Sequence, residues 1–288
     1  MKRRDFIRSS MATAGLLSTN FPYHLFAADV AKNAHDMIAL GNTGLTVSRL
    51  AMGTGTHGVN RKSNQSRKLG IKGVADWLEA GYDQGVTFWD SADQYGTHPH
   101  LKEGLTRVNR EKVTILTKTH ASTEKEMKAD LDRFRKELNT DYLDIVLLHC
   151  LMDVKWNEQK AGAMDALSRA REDGIVKAHG VSCHTLAALE TAADTDWVQV
   201  DMARINMSGV IMDAEVPVVE KVLKKMKSKG KGIIGMKILG AGRLRDKVDE
   251  CLQYALGQDF VDCFTIGTES QDEFKDLIKR IPKASVRG

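Results

Sequence analysis

The sequence lacks several features that would assign it to other classes of protein. It contains no apolar run near the ~20 residues that a membrane-spanning helix needs, so we expect no stable membrane insertion. It has no basic stripe with interleaved aromatic residues, and its net charge is only +4, so we expect no nucleic-acid partner. No low-complexity linker or break in composition divides the 288 residues. These absences leave an ordinary soluble globular chain.

Cysteine is also scarce, and its spacing is uninformative. None of the four cysteines forms a CxxC or CxxH pattern, which makes a metal site or a disulfide the less favoured alternative. We expect reduced and mostly buried thiols. The four are Cys150, Cys183, Cys251 and Cys263.

What the sequence does contain is a carboxylate at the end of an apolar run. Residues 86–89 are followed directly by Asp90, and Tyr95 comes five residues later in a short polar segment that ends at Gly96. A buried strand followed by turn residues has this pattern. We therefore expect Asp90 at the C-terminal end of a strand and Tyr95 on the loop above it.

Two later predicted strands also end on polar side chains. The strand at 112–118 ends on Lys118, and the strand at 142–149 ends on His149. In a sheet of parallel strands these ends lie at one face, so the lysine and the histidine are expected to meet the carboxylate and the phenol. A lysine held by an aspartate can depress the pKa of a nearby tyrosine, which would make it a general acid near neutral pH.

Strand and helix patterns alternate eight times after a short hairpin at residues 38–48. The predicted strands are 50–53, 86–90, 112–118, 142–149, 175–182, 197–201, 232–237 and 261–266. The predicted helices are 71–84, 99–107, 123–138, 157–173, 186–193, 216–229, 246–256 and 271–280. Eight such units predict an α/β fold, a (β/α)8 TIM barrel with an N-terminal β-hairpin, as a single domain over residues 35–288.

Residues 1–34 have a different character. Arg3 and Arg4 are followed by Phe6 and a weakly apolar stretch, which resembles a twin-arginine export signal. We expect an export leader and a periplasmic or otherwise exported protein. The alternative is a basic disordered tail, with the protein in the cytoplasm.

Asp90, Tyr95, Lys118 and His149, in this order and each after a strand, resemble the catalytic tetrad of the aldo-keto reductases. The resemblance extends over roughly residues 37–281. It implies reduction of an aldehyde or ketone to an alcohol by hydride transfer from NADPH or NADH, with Tyr95 as proton donor. It also implies a small-molecule carbonyl substrate, and we expect a monomer.

The same resemblance implies contacts to the nicotinamide end of the cofactor. Gly53 and Thr54 correspond to the family's turn near the nicotinamide, and Ser182 to a serine that contacts the carboxamide. Cys183 stands where an asparagine is usual, and Gln199 matches a glutamine that reaches the same carboxamide. In addition, Ile205 stands where an aromatic residue often stacks on the ring.

Two further segments resemble the family's binding sites for the rest of the dinucleotide. The loop after the seventh strand corresponds to the pyrophosphate site, with Lys237, Leu239 and Gly242 as the implied contacts. The segment after the eighth strand corresponds to the adenosine ribose site, with contacts from Gly267, Ser270 and Glu273. Glu273 replaces a common arginine, and carboxylates repel a 2′-phosphate, so we expect relaxed or NADH-leaning cofactor use.

Two other functions remain open from the sequence. The replaced cofactor contacts are compatible with a dinucleotide-binding sensor or partner subunit that has little turnover. A metal hydrolase that uses His98 and His100, two histidines at i and i+2, is the less favoured alternative, and no metal ligand is assigned.

Overall fold

A computed structural model of the protein describes residues 31–286. Residues 1–30 of the predicted leader therefore lie outside the described residues. The backbone N–H of Lys32 donates to Ser285 Oγ at 2.9 Å, and Ala34 is buried in the core. The folded domain thus already includes residues 32–34, slightly before the predicted boundary at 35.

An antiparallel hairpin precedes the barrel, as predicted. It consists of β1 (Met37–Ala39) and β2 (Thr46–Ser48). The backbone N–H of Asn42 donates to the carbonyl of Gly230 at 2.8 Å. At Gly41, where φ is +48°, an added Cβ would lie 2.3 Å from the nitrogen of Gly232. The hairpin turn therefore packs directly on the N-terminal end of the barrel, and glycine is required for that approach.

Eight parallel strands form a closed barrel, which confirms the predicted fold class. The strands pair in chain order, and the last strand pairs with the first. They are β3 (Leu50–Gly53), β4 (Phe88–Asp90), β5 (Thr114–Thr119), β6 (Leu143–Leu151), β7 (Val176–Cys183), β8 (Val200–Arg204), β9 (Gly232–Met236) and β10 (Cys263–Ile266).

The helices lie outside this barrel, and four of them begin at a side-chain cap. Thr123 Oγ1 accepts from the N–H of Glu126, whose side chain accepts from the N–H of Thr123, a capping box. The helices are α1 (Asn64–Asp83), α2 (His98–Leu105), α3 (Glu124–Leu138), α4 (Trp156–Gln159), α5 (Ala161–Glu172), α6 (Leu186–Asp194), α7 (Val216–Ser228), α8 (Val248–Gly257) and α9 (Gln271–Ser285). None of the helices in residues 31–286 is both long and apolar enough to cross a membrane.

Two helices are longer than predicted. Helix α1 begins seven residues early, at Asn64 rather than residue 71, with Gly70 as an interruption at φ +63°. Helix α9 continues past the predicted end at residue 280 and contains Pro282. Its last turns bury Ile281 and Ala284, so tertiary packing outweighs the proline.

The core has two layers because successive strand residues point to opposite faces. The inner layer fills the barrel, and the outer layer lies between strands and helices. Inner-layer members include Ala51, Phe88, Leu116, Ile145, Val200, Met202 and Met236. The layers determine which residues at a strand end can face the barrel mouth.

Strand β8 begins later than the sequence pattern predicted. The predicted strand was 197–201, whereas the observed strand is Val200–Arg204, and the other seven strands lie within two residues of their predicted bounds. Trp197 precedes the strand. Its ring stacks on His179 with centroids 4.2 Å apart, and its indole N–H donates to Ser168 Oγ at 2.9 Å. The apolar signal at this position therefore came from packing before the strand.

Candidate active site

Asp90 and Lys118 end the neighbouring strands β4 and β5 and form a buried ion pair. Lys118 Nζ donates to Asp90 Oδ1, and it also donates to the carbonyl of Ser91 at 2.8 Å. The two residues are only 4% and 1% exposed. An ion pair this deeply buried needs further hydrogen bonds to offset its lost hydration.

On the other side of Asp90, its carboxylate gains one further hydrogen bond and its backbone carbonyl gains two. Thr265 in β10 donates its hydroxyl to Asp90 Oδ2 at 2.9 Å. Thr54 donates its N–H at 3.0 Å and its hydroxyl at 2.8 Å to the Asp90 carbonyl. Gly53 leaves room for this arrangement, because an added Cβ would lie 2.8 Å from Thr265 Oγ1. Gly53 and Thr54 thus lie at the predicted face, and the Thr54 hydroxyl holds the backbone of Asp90 rather than its carboxylate.

Tyr95 lies in a single 3-10 turn, Asp93–Tyr95, directly after β4. Lys118 Nζ is 4.8 Å from the centroid of its ring. The ring of His149 is edge-on to it, with centroids 5.7 Å apart. The structure therefore brings together the acid, the phenol, the lysine and the histidine that the sequence singled out.

Two glycines in the loop after β3 leave room for the Tyr95 ring. An added Cβ at Gly55 would lie 2.2 Å from a ring carbon of Tyr95, and one at Gly58 would lie 2.3 Å from another. The Tyr95 ring packs where side chains at these positions would stand. The sequence analysis missed both residues, and loop glycines are too common for their presence to have indicated this role.

The protonation of the phenol differs from the expectation. Burial raises the pKa of Tyr95, and the charge and hydrogen bonding of Lys118 oppose that effect without cancelling it. The net pKa is raised, so the prediction of a depressed value near neutrality is wrong. Burial by itself lowers the pKa of Lys118, but Asp90 and Tyr95 raise it by more, so the net pKa of Lys118 is raised. The site holds a protonated phenol beside an ammonium group.

His149 is neutral in this environment. Burial lowers its pKa well below the ordinary value, and the positive charge of Lys118 lowers it further. The ring of His120 lies 4.9 Å away, centroid to centroid. His149 Nδ1 has no hydrogen-bond partner within residues 31–286. A neutral imidazole at this position can hydrogen-bond a carbonyl oxygen without adding charge.

Two more cations border the mouth, and one of them the sequence analysis missed. Arg204, the last residue of β8, donates from Nε to Asp213 Oδ1 at 3.1 Å and from a terminal nitrogen to the His184 carbonyl at 2.6 Å. Lys237 follows β9 with φ +59°, and burial lowers its pKa, as does nearby Lys118. Among the described residues, no carboxylate forms an ion pair with Lys237. It is available to an anion.

The loop after β9 fits a dinucleotide pyrophosphate. Leu239 precedes a tight turn at Gly240–Gly242, in which Ala241 and Gly242 have φ of +54° and +87°. An added Cβ at Gly242 would meet no atom within 4 Å, so the backbone borders open space. An uncompensated lysine, here Lys237, beside an open glycine turn is a donor set suited to phosphate.

The predicted ribose segment caps helix α9. Ser270 Oγ accepts from the N–H of Glu273 at 3.2 Å, and Glu273 Oε2 accepts from the N–H of Glu269 at 2.7 Å. The Glu269 carboxylate in turn accepts from Asn64 Nδ2 at 2.7 Å and from Lys68. Glu273 is thus partly engaged in capping, and Lys68 offsets the charge of Glu269.

Gly267 lies beside the first strand of the barrel. An added Cβ at Gly267 would lie 2.9 Å from the carbonyl oxygen of Gly53. The segment after β10 therefore reaches the same end of the barrel as the tetrad.

Ser182 and Cys183 point to opposite sides of β7. Ser182 Oγ accepts from the N–H of Cys150 at 3.0 Å at the mouth end of the strand. Cys183 is fully buried in the outer core, where burial raises its pKa well above the ordinary value. This placement contradicts the prediction that Cys183 contacts the cofactor. Ile205 is also fully buried in that layer, so it does not face a nicotinamide ring.

Gln199 lies at the opposite end of the barrel from the tetrad. It precedes β8, its Oε1 accepts from the N–H of His179 at 3.2 Å, and its carbonyl accepts from the N–H of Gly232 at 2.8 Å. With Asn42 and Thr43 of the hairpin turn it lines a cavity of about 280 Å³. The prediction that Gln199 reaches the carboxamide is therefore wrong, because β8 begins three residues later than predicted.

His98 is a structural residue at the start of α2. Its Nδ1 lies 2.7 Å from Glu137 Oε2, and its Nε2 lies 2.7 Å from Thr117 Oγ1. Both ring nitrogens are therefore occupied, which argues against the metal hydrolase that pairs it with His100. Within residues 31–286, no three His, Cys, Asp or Glu side chains are grouped as a metal site. The four cysteines are free thiols, as expected, and only Cys150 is not fully buried.

Known proteins resemble this chain over most of its length. Residues 49–255 match the model of the Aldo/keto reductase family. Aldo-keto reductase AFTS1 from Alternaria alternata is 26% identical over 254 residues, which cover 73% of this chain and 67% of that protein. D-threo-aldose 1-dehydrogenase from Pseudomonas sp is 23% identical over 239 residues, or 72% of this chain and 70% of that protein.

The barrel also has counterparts among solved structures. The holo form of aldo-keto reductase AKR11C1 from Bacillus halodurans superposes with a TM-score of 0.69 at 15% identity, over 86% of this chain and 91% of that one. At this identity the likeness concerns the fold alone. The family model, however, spans well over half of the chain. The chain belongs to the aldo/keto reductase family, whose members are NAD(P)-dependent oxidoreductases.

Proposed function

We propose that the protein reduces an aldehyde or ketone to an alcohol with NAD(P)H, and that Tyr95 is the proton donor. The observation that carries this proposal is the position of the Tyr95 phenol, between the Lys118 ammonium and the neutral His149 ring. A protonated phenol, a buried cation and a neutral hydrogen-bond donor are the groups that carbonyl reduction needs.

Each of these groups has one task in the reaction. When bound, a nicotinamide dinucleotide supplies the hydride that adds to the carbonyl carbon. His149 hydrogen-bonds the carbonyl oxygen and orients it, and Tyr95 transfers its proton to that oxygen. The Lys118 ammonium, paired with Asp90, stabilises the phenolate that remains on Tyr95. Solvent then reprotonates the phenolate.

The mouth of the barrel offers binding groups for the rest of the cofactor. Lys237, Leu239 and Gly242 would hold the pyrophosphate, and the segment from Gly267 to Ser270 and Glu273 would hold the adenosine ribose. Ser182 is the remaining side chain at the nicotinamide end that faces the correct side of its strand. This contact set is shorter than the family pattern implied.

We also propose that the protein prefers NADH or uses both nucleotides. The carboxylate of Glu273 lies at the start of α9, where a 2′-phosphate would be repelled. Lys68 pairs with Glu269, and its electrostatic interaction with Glu273 is the weaker of the two. Comparison of KM for NADH and NADPH tests this preference, and a strong preference for NADPH would contradict it.

The test of the reaction is oxidation of NADH and NADPH by a panel of aldehydes and ketones. The panel includes small aldoses, because one relative is an aldose dehydrogenase. We expect the rate of the Tyr95→Phe variant to be ~10²–10⁴-fold lower than that of wild type, because a general acid usually contributes a factor of this size. Tyr254→Phe is the matched control, because Tyr254 donates to Glu220 on the outer helices. Equal rates in wild type and Tyr95→Phe would exclude Tyr95 as the acid.

The alternative of a dinucleotide-binding sensor or partner subunit draws on one structural observation. Cys183 faces the outer layer and Gln199 lies at the opposite end of the barrel, so two expected contacts to the nicotinamide are missing. A sensor would quench its tryptophan fluorescence with dinucleotide and show no turnover with any carbonyl. Turnover that depends on Tyr95 would favour the reductase.

For the whole protein we propose export through the twin-arginine route as a monomer. The pair Arg3 and Arg4 supports the first part, and such a route carries folded proteins with cofactor already bound. Cell fractionation of the wild type and of Arg3→Lys/Arg4→Lys tests export, and an unchanged location would contradict it. Light scattering tests the monomer, which has a mass of 31.9 kDa.

A further inference from the structure

The Asp90 carboxylate is held from two sides. One oxygen accepts from Lys118, and the other accepts from the Thr265 hydroxyl at 2.9 Å. An ionised carboxylate only accepts, so Thr265 is the donor in this contact. The contact joins the last strand of the barrel to β4 across 175 residues of chain.

Thr265 reaches Asp90 past the backbone of β3. Strand β3 lies between β10 and β4, and Gly53 pairs directly with Asp90. An added Cβ at Gly53 would stand 2.8 Å from Thr265 Oγ1. The hydroxyl therefore occupies space that only a glycine in β3 leaves open.

A carboxylate held at only one oxygen can rotate about its Cα–Cβ and Cβ–Cγ bonds. Rotation of Asp90 would remove one of the two acceptors that hold the Lys118 ammonium, the other being the Ser91 carbonyl, and that ammonium lies 4.8 Å from the Tyr95 ring. Asp90 is fixed against this rotation by the second hydrogen bond. We propose that Thr265 is a positioning residue, whose hydroxyl fixes Asp90 so that Lys118 stays against Tyr95.

The position of Lys118 controls proton transfer from Tyr95, an inference that rests on the proposed function. Lys118 stabilises the phenolate form of Tyr95, and its stabilisation depends on distance. The titratable groups that face Tyr95 are Lys118, Asp90, His149 and Cys150. Of these, only Lys118 lowers the pKa of Tyr95. Displacement of Lys118 therefore raises that pKa and slows the step.

The first experiment compares Thr265→Val with Thr265→Ser. Valine keeps the shape and removes the hydroxyl, and serine keeps the hydroxyl. We expect kcat to fall about tenfold in Thr265→Val, as for loss of one hydrogen bond to a charged group, with KM within about twofold of wild type. We expect Thr265→Ser to restore kcat. The matched control is Thr114→Val, because Thr114 begins β5 and so lies at the end of that strand away from Lys118.

The second experiment measures the ionisation of Tyr95 without turnover. Tyrosinate absorbance after a rapid pH jump is recorded for each variant, and the same variant carrying Tyr95→Phe is subtracted. We expect a higher ionisation midpoint in Thr265→Val than in wild type, and a wild-type midpoint in Thr265→Ser. Thr265→Ala serves in place of Thr265→Val if valine prevents folding.

The midpoint decides the proposal whether or not the protein turns over a carbonyl. An unchanged midpoint in Thr265→Val overturns it, even if kcat falls, because the effect would then be packing alone. A raised midpoint that serine does not restore also overturns it. Absence of turnover in the wild type would refute the proposed reductase function, while a raised and serine-restored midpoint would still support the role of Thr265.

Discussion

Two regions of the barrel each bury an aspartate within a strand, and they treat its charge in opposite ways. In the first, the β4–β5 seam, Asp90 meets Lys118 and Thr265, and both carboxylate oxygens have donors. In the second, the β7–β8 seam, Asp201 is fully buried, and neither of its oxygens has a partner among the described residues. Burial raises the pKa of Asp201 to about 8, with a further contribution from Asp213.

The difference follows from the face of the strand on which each residue lies. Val200 and Met202 belong to the inner layer, so Asp201 between them points to the outer layer, beneath the helices. Lys231, whose charge lowers the pKa of Asp201, donates instead to the carbonyls of Thr195 and Val198. The comparison teaches that the barrel compensates a buried charge at the mouth and leaves an acid protonated in the outer layer.

The largest expected effect is that of Asp90→Asn. The change is nearly isosteric, but it leaves the Lys118 ammonium buried without a counter-ion. Breaking a buried pair in this way costs about 3–5 kcal/mol of folding free energy. Urea unfolding at pH 7 measures the loss, and carbonyl reduction should fall with it.

The control for that variant is Asp132→Asn. Asp132 pairs with Arg135 on the surface of α3, and its side chain is 62% exposed. Such a pair contributes at most about 1 kcal/mol. Similar losses in the two variants would mean that the β4–β5 seam has no special dependence on its charge.

A smaller effect of opposite sign is expected for Asp201→Asn. In the folded protein Asp201 titrates with a pKa of about 8. In the unfolded chain an aspartate has a pKa of ~3.9. Between about pH 3.9 and pH 8, therefore, the unfolded chain has released a proton that the folded protein keeps. Wild-type stability therefore falls as pH rises through this window, and the asparagine variant lacks this term. We expect the variant to gain about 3–4 kcal/mol relative to wild type between pH 5 and pH 8.

The measurement is the unfolding free energy of both proteins at several pH values. The buried amide has its own pH-independent cost, so the decisive quantity is the change in the difference with pH, rather than its size at one pH. A constant difference from pH 5 to pH 8 would show that Asp201 is ionised in the folded protein, and the contrast between the seams would be lost.

The smallest expected effect is on the pH dependence of carbonyl reduction. The reaction needs a protonated Tyr95, whose pKa is raised by burial, and a neutral His149, whose pKa is well below its ordinary value. Neither group changes charge between about pH 7 and pH 9. We expect kcat/KM to vary less than about twofold there, while the β7–β8 seam titrates. A basic limb near neutral pH would show that Lys118 outweighs burial at Tyr95.

The alternation of apolar runs and helical patterns determined the fold class from sequence alone. Strand ends at Asp90, Lys118 and His149 were visible as polar residues after apolar runs, and parallel strands place such ends at one face. The turn that contains Tyr95 was predicted from the polar segment that ends at Gly96. These features are local in sequence, so no tertiary contact was needed to find them.

The assignment failed where packing, rather than local pattern, defined a strand. Trp197 supplied an apolar signal before β8 because it stacks on His179, and that signal placed Gln199 inside the predicted strand when it lies before it. At Cys183 the alternation of strand faces determined that the thiol is buried. A shift of one or three residues reverses the face of every side chain in a strand.

The sequence by itself determined the closed barrel, the hairpin and the identities of the four residues at its mouth. The tertiary structure decided their charge states, because burial of Tyr95 outweighs Lys118 only once the loop at Gly55 and Gly58 packs on the ring. It also decided the contact of Thr265 with Asp90. Both depend on distances between residues far apart in the chain, which local patterns do not encode.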